Sequence, residues 1–361
     1  MNSSNTYRRL IIGYCSFFFL LLLIPTVYKL TTKKAVSNCE KRTILTFPKF
    51  NYQDTYIQEC GNYFEENYGL RNELIYYQSK IKLSLFNSSA NPDQVVFGKN
   101  GWLFYSSKSD LSYGSYSRTN LLNYIQLNDF KSLHEKRKEE LAKKNIQYVT
   151  AVWPNKNTIY SEQQPLQMQI QIEDTLSKID QVLAFLNKSK STVQLIDVRK
   201  QLLNKKANRL CLKHDTHWNN LGGYYAYNKF LNETKAIFKL TPYSLSQFTI
   251  KQKKIIGGDL YNFLGICDQN EYFEYTPVLT LKSKPNIKED PTFKDSYGKY
   301  NKNAASKLKV LFFRDSYMDA MMYYFSLHFQ HSYYYKSDYN QKIVDLIKPD
   351  VVVVCKVERY F

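Results

Sequence analysis

The sequence predicts an α/β protein built on a parallel central sheet and preceded by one N-terminal transmembrane helix. Three observations predict it. From residue 129 onward, apolar runs of strand length alternate with stretches of helix length. Some of these runs, such as VVVVC at 351–355, are apolar at successive positions, the pattern of a strand covered on both faces. The run Val310–Phe313 stops at Arg314, Asp315 and Ser316, then passes into a Gly- and Pro-free stretch, Tyr317 to Phe329, that reads as a helix. A strand that ends in a hydroxyl at a helix entrance is where open α/β sheets gather reactive groups.

Taken in order, the chain starts with a nine-residue head carrying Arg8 and Arg9. Leu10 to Tyr28 follows without a charge, long enough for a bilayer core. This run exceeds a usual signal-peptide core and ends at Tyr28, Lys29 and Leu30 instead of at small residues, so a retained anchor is expected, with the bulk of the chain exported. Residues 29–92 read as a tether and helical lead-in, broken near Gly69, and residues 93–361 as the catalytic domain. In VVFGKNGWLFY, 95–105, two apolar runs flank Gly98-Lys99-Asn100-Gly101, which predicts a β-hairpin. Helix Asp129 to Lys144 leads into strand 146–154, and helix Asp174 to Asn187 into strand 193–198. After the strand at 309–313 and its helix come a short strand at 332–335, a helix around Gln341 to Ile347 and a final strand at 350–357. Residues 240–306 break the alternation and read as an irregular excursion.

The formal net charge of +18 implies attraction to acidic partners, but the lysines are dispersed and form no compact basic block or nucleic-acid motif, so nucleic acid is not an expected partner. The 32 tyrosines and 22 phenylalanines suit sugar-stacking surfaces as well as a compositional bias. Six cysteines lie far apart with no C-x-x-C pair, which disfavours zinc. A bond such as Cys211–Cys267 stays open at this level.

Ser316 reads in two ways: as a nucleophile backed by helix N–H groups, or, with Asp315, as an ordinary helix cap. A serine nucleophile needs an imidazole and a carboxylate. Of five histidines, His134 lies in a charged helix and reads as solvated, while His328 and His331 fall at the far end of the helix that starts at Ser316. There remains KHDTHWNNLGG, 213–223, where Asp215 precedes His217 by two residues on a loop at a helix entrance. Asp215 is also a plausible cap, and His214 with His217 a conceivable metal pair, although no H-E-x-x-H supports the latter. No metal is expected.

The segments FGKNGWLFY (97–105), WPNKNTIY (153–160), HDTHWNNLGG (214–223), GGDLYNFLG (257–265) and FRDSY (313–317), in this order behind one N-terminal span, resemble the SGNH-hydrolase-like polysaccharide O-acetyltransferases of the AlgX/AlgJ type and the related DHHW proteins. The resemblance implies a flavodoxin-like sandwich and a triad of Ser316, His217 and Asp215. Arg314 replaces the family's common Gly before Asp-Ser. It further implies a polysaccharide acceptor, no bound cofactor, and an acetyl group supplied by a membrane-bound O-acyltransferase, with the catalytic domain periplasmic or extracellular. Candidates for oxyanion stabilisation or substrate binding are Asn155, Lys156, Asn157, Tyr160, Trp218 and Arg314. An acetyl esterase with the same triad and a non-catalytic glycan-binding assembly factor are the alternatives.

Overall fold

The computed structural model describes residues 3–32, 44–50, 52–107, 112–170, 172, 176–266, 272–290, 292–293 and 296–361. Part of the expected tether, and Cys39 and Cys267, lie outside them. Cys211, the other half of the disulfide considered above, is a buried free thiol.

The chain divides into two units, Met1–Asn91 with Tyr261–Gln269, and Pro92–Leu260 with Asn270–Phe361. The first holds the helix Ser3–Thr31, whose segment Thr6–Lys29 is long and apolar enough to cross a membrane. It also contains the helices Tyr56–Glu66 and Arg71–Phe86.

The second unit opens with a hairpin of β1 (Val95–Phe97) and β2 (Leu103–Tyr105), turning through Asn100 and Gly101, both at positive φ. Its central sheet draws on β3 (Gln147–Trp153) and β4 (Leu195–Asp197). A separate antiparallel ribbon pairs β5 (Phe248–Ile256) with β6 (Phe273–Leu281). Then come β7 (Ile287–Glu289), β8 (Lys299–Asn301), β9 (Ser306–Phe313), β10 (Phe329–Tyr335) and β11 (Val351–Val357). The sheet order is β4-β3-β11-β9-β10-β8-β7. The first five strands are mutually parallel, but β8 runs antiparallel to β10 and β7 antiparallel to β8. The sheet is therefore mixed, which corrects the expected parallel sheet. The extra strands come from the stretch read as irregular; each is three residues long, too short for a period-two pattern to be recognised.

Side chains alternate across the parallel strands. Val310 and Phe312 of β9, with Val351 and Val353 of β11, enter one buried cluster with Tyr227 and Phe230. Leu311, Phe313, Val352 and Val354 enter the other with Leu141, Val344 and Ile347. Burial on both faces explains why these strands read as continuously apolar.

The helix Tyr124–Ala142 starts five residues before its expected position, at a cap that periodicity does not reveal. Asn123 accepts from Gln126 N–H while the Gln126 side chain accepts from Asn123 N–H. Asn123→Ala should cost about 1 kcal/mol of stability, measurable by urea unfolding. His134 on this helix is 6% exposed, not solvated. Its Nδ1 lies 2.8 Å from the Tyr148 hydroxyl, and burial, helped by Arg137 and Lys356, lowers its pKa to about 4.

The expected helix 317–329 is also revised. The chain forms a 3-10 turn, Ser316–Ala320, and a short helix, Met322–Ser326, before β10 begins at Phe329. Tyr324, Phe325 and Phe329 are all fully buried, so core packing sets this path over helix propensity. His328 is hydrogen-bonded to the Tyr227 hydroxyl and His331 to Asp290, and His331 pairs in register with Lys309, well before the end of β9 that carries Ser316.

Candidate active site

β3, β11 and β9 are neighbours at the centre of the sheet, and parallel pairing puts their carboxyl ends on one edge. Asn155 and Lys156 follow β3, Glu358 and Arg359 follow β11, and Ser316 follows β9. The residues are distant in sequence but adjacent because the strands are.

At the end of β9, Asp315 is the cap of the turn. Its Oδ1 accepts from Tyr317 N–H at 2.9 Å and its Oδ2 from Val357 N–H at 2.5 Å, which ties the Ser316 turn to β11. Ser316 is left partly exposed, and its Oγ lies 2.7 Å from His217 Nε2. His217 Nδ1 lies 2.6 Å from Asp215 Oδ1, which also accepts from the His217 backbone N–H at 2.9 Å. The carboxylate thus curls back over two residues. The His217 side chain is 27% exposed.

Burial alone would push the His217 pKa down, but the Asp215 hydrogen bond and charge, with the charge of Asp259, outweigh it and the net direction is up. Burial would raise Asp215, but its bonds from His217 and from Asp259 N–H hold it well below the usual carboxylate range. The pair is an ionised carboxylate orienting a basic imidazole that faces a hydroxyl, an arrangement able to remove the hydroxyl proton as the oxygen attacks.

The loop carrying Asp215 and His217 is clamped on several sides. Cys211 and Trp218 form a β-bridge across it, and Glu274 of β6 accepts from the N–H groups of Lys213 and His214. Trp218 Nε1 donates to Tyr317 O and the Tyr317 hydroxyl donates to Thr216 O, fastening the histidine loop to the serine turn. Asn219 caps the following helix, Asn220–Glu233. Gly223 lets that helix reach the serine turn: a Cβ there would lie 2.7 Å from Ala320 O. Gly258 likewise lies against the loop, where a Cβ would come within 2.1 Å of His214 O.

Several residues expected to bind substrate instead build the site. Lys156 is 3% exposed, and its ammonium donates to the carbonyls of Leu212 (2.8 Å), Lys213 (2.9 Å) and Asp215 (2.8 Å). Its three protons are committed to the loop, which removes it as an oxyanion donor. Burial lowers its pKa to about 8 against the raising effect of nearby Cys211, Asp215, Asp259 and Glu274. Tyr160 is 4% exposed, with its hydroxyl donating to Lys206 O and accepting from Leu210 N–H, and Trp218 is 3% exposed. Neither offers a face to a sugar ring. The side chain of Arg314 is buried, paired with Asp319 at 2.6 Å and stacked on Tyr297. Asn157 Nδ2 faces Tyr105 O at 3.4 Å. Asn155 borders the centre: its Oδ1 accepts from Arg359, whose guanidinium lies 5.7 Å from the Tyr317 ring centroid.

Replacing Lys156 by methionine removes an ammonium that lies 5.3 Å from the Trp102 and Phe104 ring centroids and strands the carbonyls of Leu212 and Asp215, while Lys213 O keeps its bond from Leu103 N–H. At about 1–3 kcal/mol for each unsatisfied buried group, Lys156→Met should lose roughly 2 kcal/mol or more in urea unfolding.

Sequence reasoning assigned no role to Asp259, Glu358 or Arg359. Asp259 lies in the quoted GGDLYNFLG segment, whose acid was the available signal; the last two needed the strand order. Asp215, His217 and Asp259 are the one group among the described residues with donor atoms close enough to share a metal ion, all within 4.8 Å. Both imidazole nitrogens already face Asp215 and Ser316, so this set fits proton transfer better than ligation.

Residues 95–301 match the family model described as SGNH hydrolase-like domain, acetyltransferase AlgX, over more than half of the chain. The chain belongs to this family. The matched span includes Asp215, His217 and Asp259 and ends before Ser316, which the fold of this AlgX-family domain supplies. The chain is similar to PatB1 of Bacillus cereus, with a TM-score of 0.54 and 14% identity over 73% of this chain and 95% of that one. It is similar also to a DHHW family protein from Eubacterium siraeum, with a TM-score of 0.51 and 16% identity over 73% of this chain and 94% of that one. At these identities the likeness is one of fold. No curated protein matches the sequence.

Proposed function

We propose that this protein is a membrane-anchored, exported O-acetyltransferase that moves an acetyl group through Ser316 to hydroxyls of an extracellular or envelope polysaccharide. The observation that carries the reading is the unbroken chain from Asp215 through His217 to Ser316, with contacts of 2.6 and 2.7 Å, in a domain of the acetyltransferase AlgX family. His217 takes the Ser316 proton while Oγ attacks the acetyl carbonyl, then returns it to the departing alkoxide. In the second half the sugar hydroxyl gives its proton to His217 and attacks the acetyl-serine ester; the proton passes to Ser316 Oγ as the ester breaks. The Ser316 N–H and the Asn155 side chain are the proposed oxyanion donors.

The apolar segment Thr6–Lys29 supports anchoring, and export of the rest of the chain is part of the proposal. The acetyl group comes from a membrane-bound O-acyltransferase, and the chain itself needs no cofactor.

The test uses the full chain in detergent with an aryl acetate, followed by intact-mass and peptide-mass analysis and addition of glycan oligomers. An acetyl adduct on Ser316 that passes to a glycan hydroxyl supports transfer. Release to water with every glycan supports the esterase alternative. No adduct and no Ser316-dependent turnover from folded protein would overturn the catalytic reading.

A further inference from the structure

Behind the imidazole lies a second carboxylate. Asp259 Oδ1 accepts the Thr216 backbone N–H at 2.8 Å, and Oδ2 accepts the Thr216 hydroxyl at 2.5 Å. Its own N–H donates to Asp215 Oδ2 at 3.1 Å, the oxygen that His217 does not use. Its Oδ2 lies 3.7 Å from His217 Nδ1, and the residue before it, Gly258, packs directly on the loop backbone. Asp259 therefore grips the middle residue of Asp215-Thr216-His217 twice and orients the Asp215 carboxylate from the other side.

We propose that Asp259 is a positioning residue of this centre, holding the Asp215-Thr216-His217 loop in its working geometry and adding a second negative charge behind the imidazole. The inference rests on the reading that His217 is the base. Fixing the loop sets the aim of Nε2 at Ser316, and a misplacement of about 1 Å at such a contact costs about 10²-fold in rate. The charge acts on His217 with that of Asp215, favouring the imidazolium formed as Ser316 attacks. Arg359 opposes both, Asp315 faces the ring from the serine turn, and Lys156 neutralises part of the field from within the loop. Burial and the charge of Asp215 raise the Asp259 pKa, whereas His217 and the two Thr216 bonds lower it.

Asp259→Asn preserves the shape and removes the charge. Two readouts on the full chain in detergent separate this role from a merely structural one: the ring titration of His217 by NMR with labelled histidine, and the pH profile of aryl acetate hydrolysis. The expected result is a His217 pKa below the wild-type value. The acid limb of kcat/KM should move to lower pH, because only the neutral imidazole is a base, while the plateau falls about 10²-fold. An unchanged His217 titration in folded Asp259→Asn would overturn the proposal. The NMR readout needs no turnover, so it also stands if Ser316 proves not to be a nucleophile. Should Asp259→Asn fail to fold, Asp259→Ser keeps a small polar side chain and removes the charge without touching Thr216, whose hydroxyl itself lies 3.2 Å from His217 Nδ1, and the His217 pKa should again fall; no movement there overturns the proposal equally.

Discussion

Ser316→Ala lowers kcat/KM for an aryl acetate by about 10⁶-fold, to what an oxyanion site and binding alone can give, and abolishes the acetyl adduct. The substitution deletes one oxygen from a partly exposed side chain. The turn is held by Asp315, through its bonds from Tyr317 N–H and Val357 N–H, and both survive in the variant. Its melting curve should therefore overlay that of the wild type, and the loss of rate belongs to the nucleophile. His217→Ala should fall about as far, because the hydroxyl without its base is a weak nucleophile at neutral pH. Retention of wild-type turnover by folded Ser316→Ala would place the chemistry elsewhere.

Asp215→Asn should reduce the plateau by about 10⁴-fold. Asp215 Oδ1 receives both the His217 backbone N–H and Nδ1–H, and Oδ2 receives Asp259 N–H, so the carboxylate is surrounded by donors. An amide must turn its NH₂ toward one of these sets. If it faces the imidazole, Nδ1 becomes the acceptor, the proton moves to Nε2, and Ser316 meets a donor in place of a base. The pH dependence carries its own sign. Asp215 contributes to the raised pKa of His217, so its neutralisation lowers that pKa and extends the neutral imidazole to more acidic pH. The reduced plateau should thus persist to lower pH than in the wild type. A loss under about tenfold would show that another group sets the tautomer.

The sequence by itself determined the α/β class, the N-terminal apolar span and the adjacency of Asp215 and His217. Each is local: burial on both faces leaves a continuous apolar run, a span is a matter of length, and a carboxylate two residues from an imidazole can reach it within one loop. The end of β9 at Ser316 was legible for the same reason. Only the tertiary structure decided which loop residues face the reacting groups. Lys156, Tyr160, Trp218 and Arg314 are residue types that suit a sugar or an oxyanion, but their atoms are spent on Leu212, Lys213 and Asp215, on Lys206 and Leu210, on Tyr317, and on Asp319. Side-chain direction in a loop follows from what packs against it, and periodicity carries no record of that. Asp259 and Arg359 entered through the same physics. A hydrogen bond from Thr216 N–H to Asp259, 43 positions away, and a strand order that places the end of β11 between those of β3 and β9, exist only once the sheet has formed.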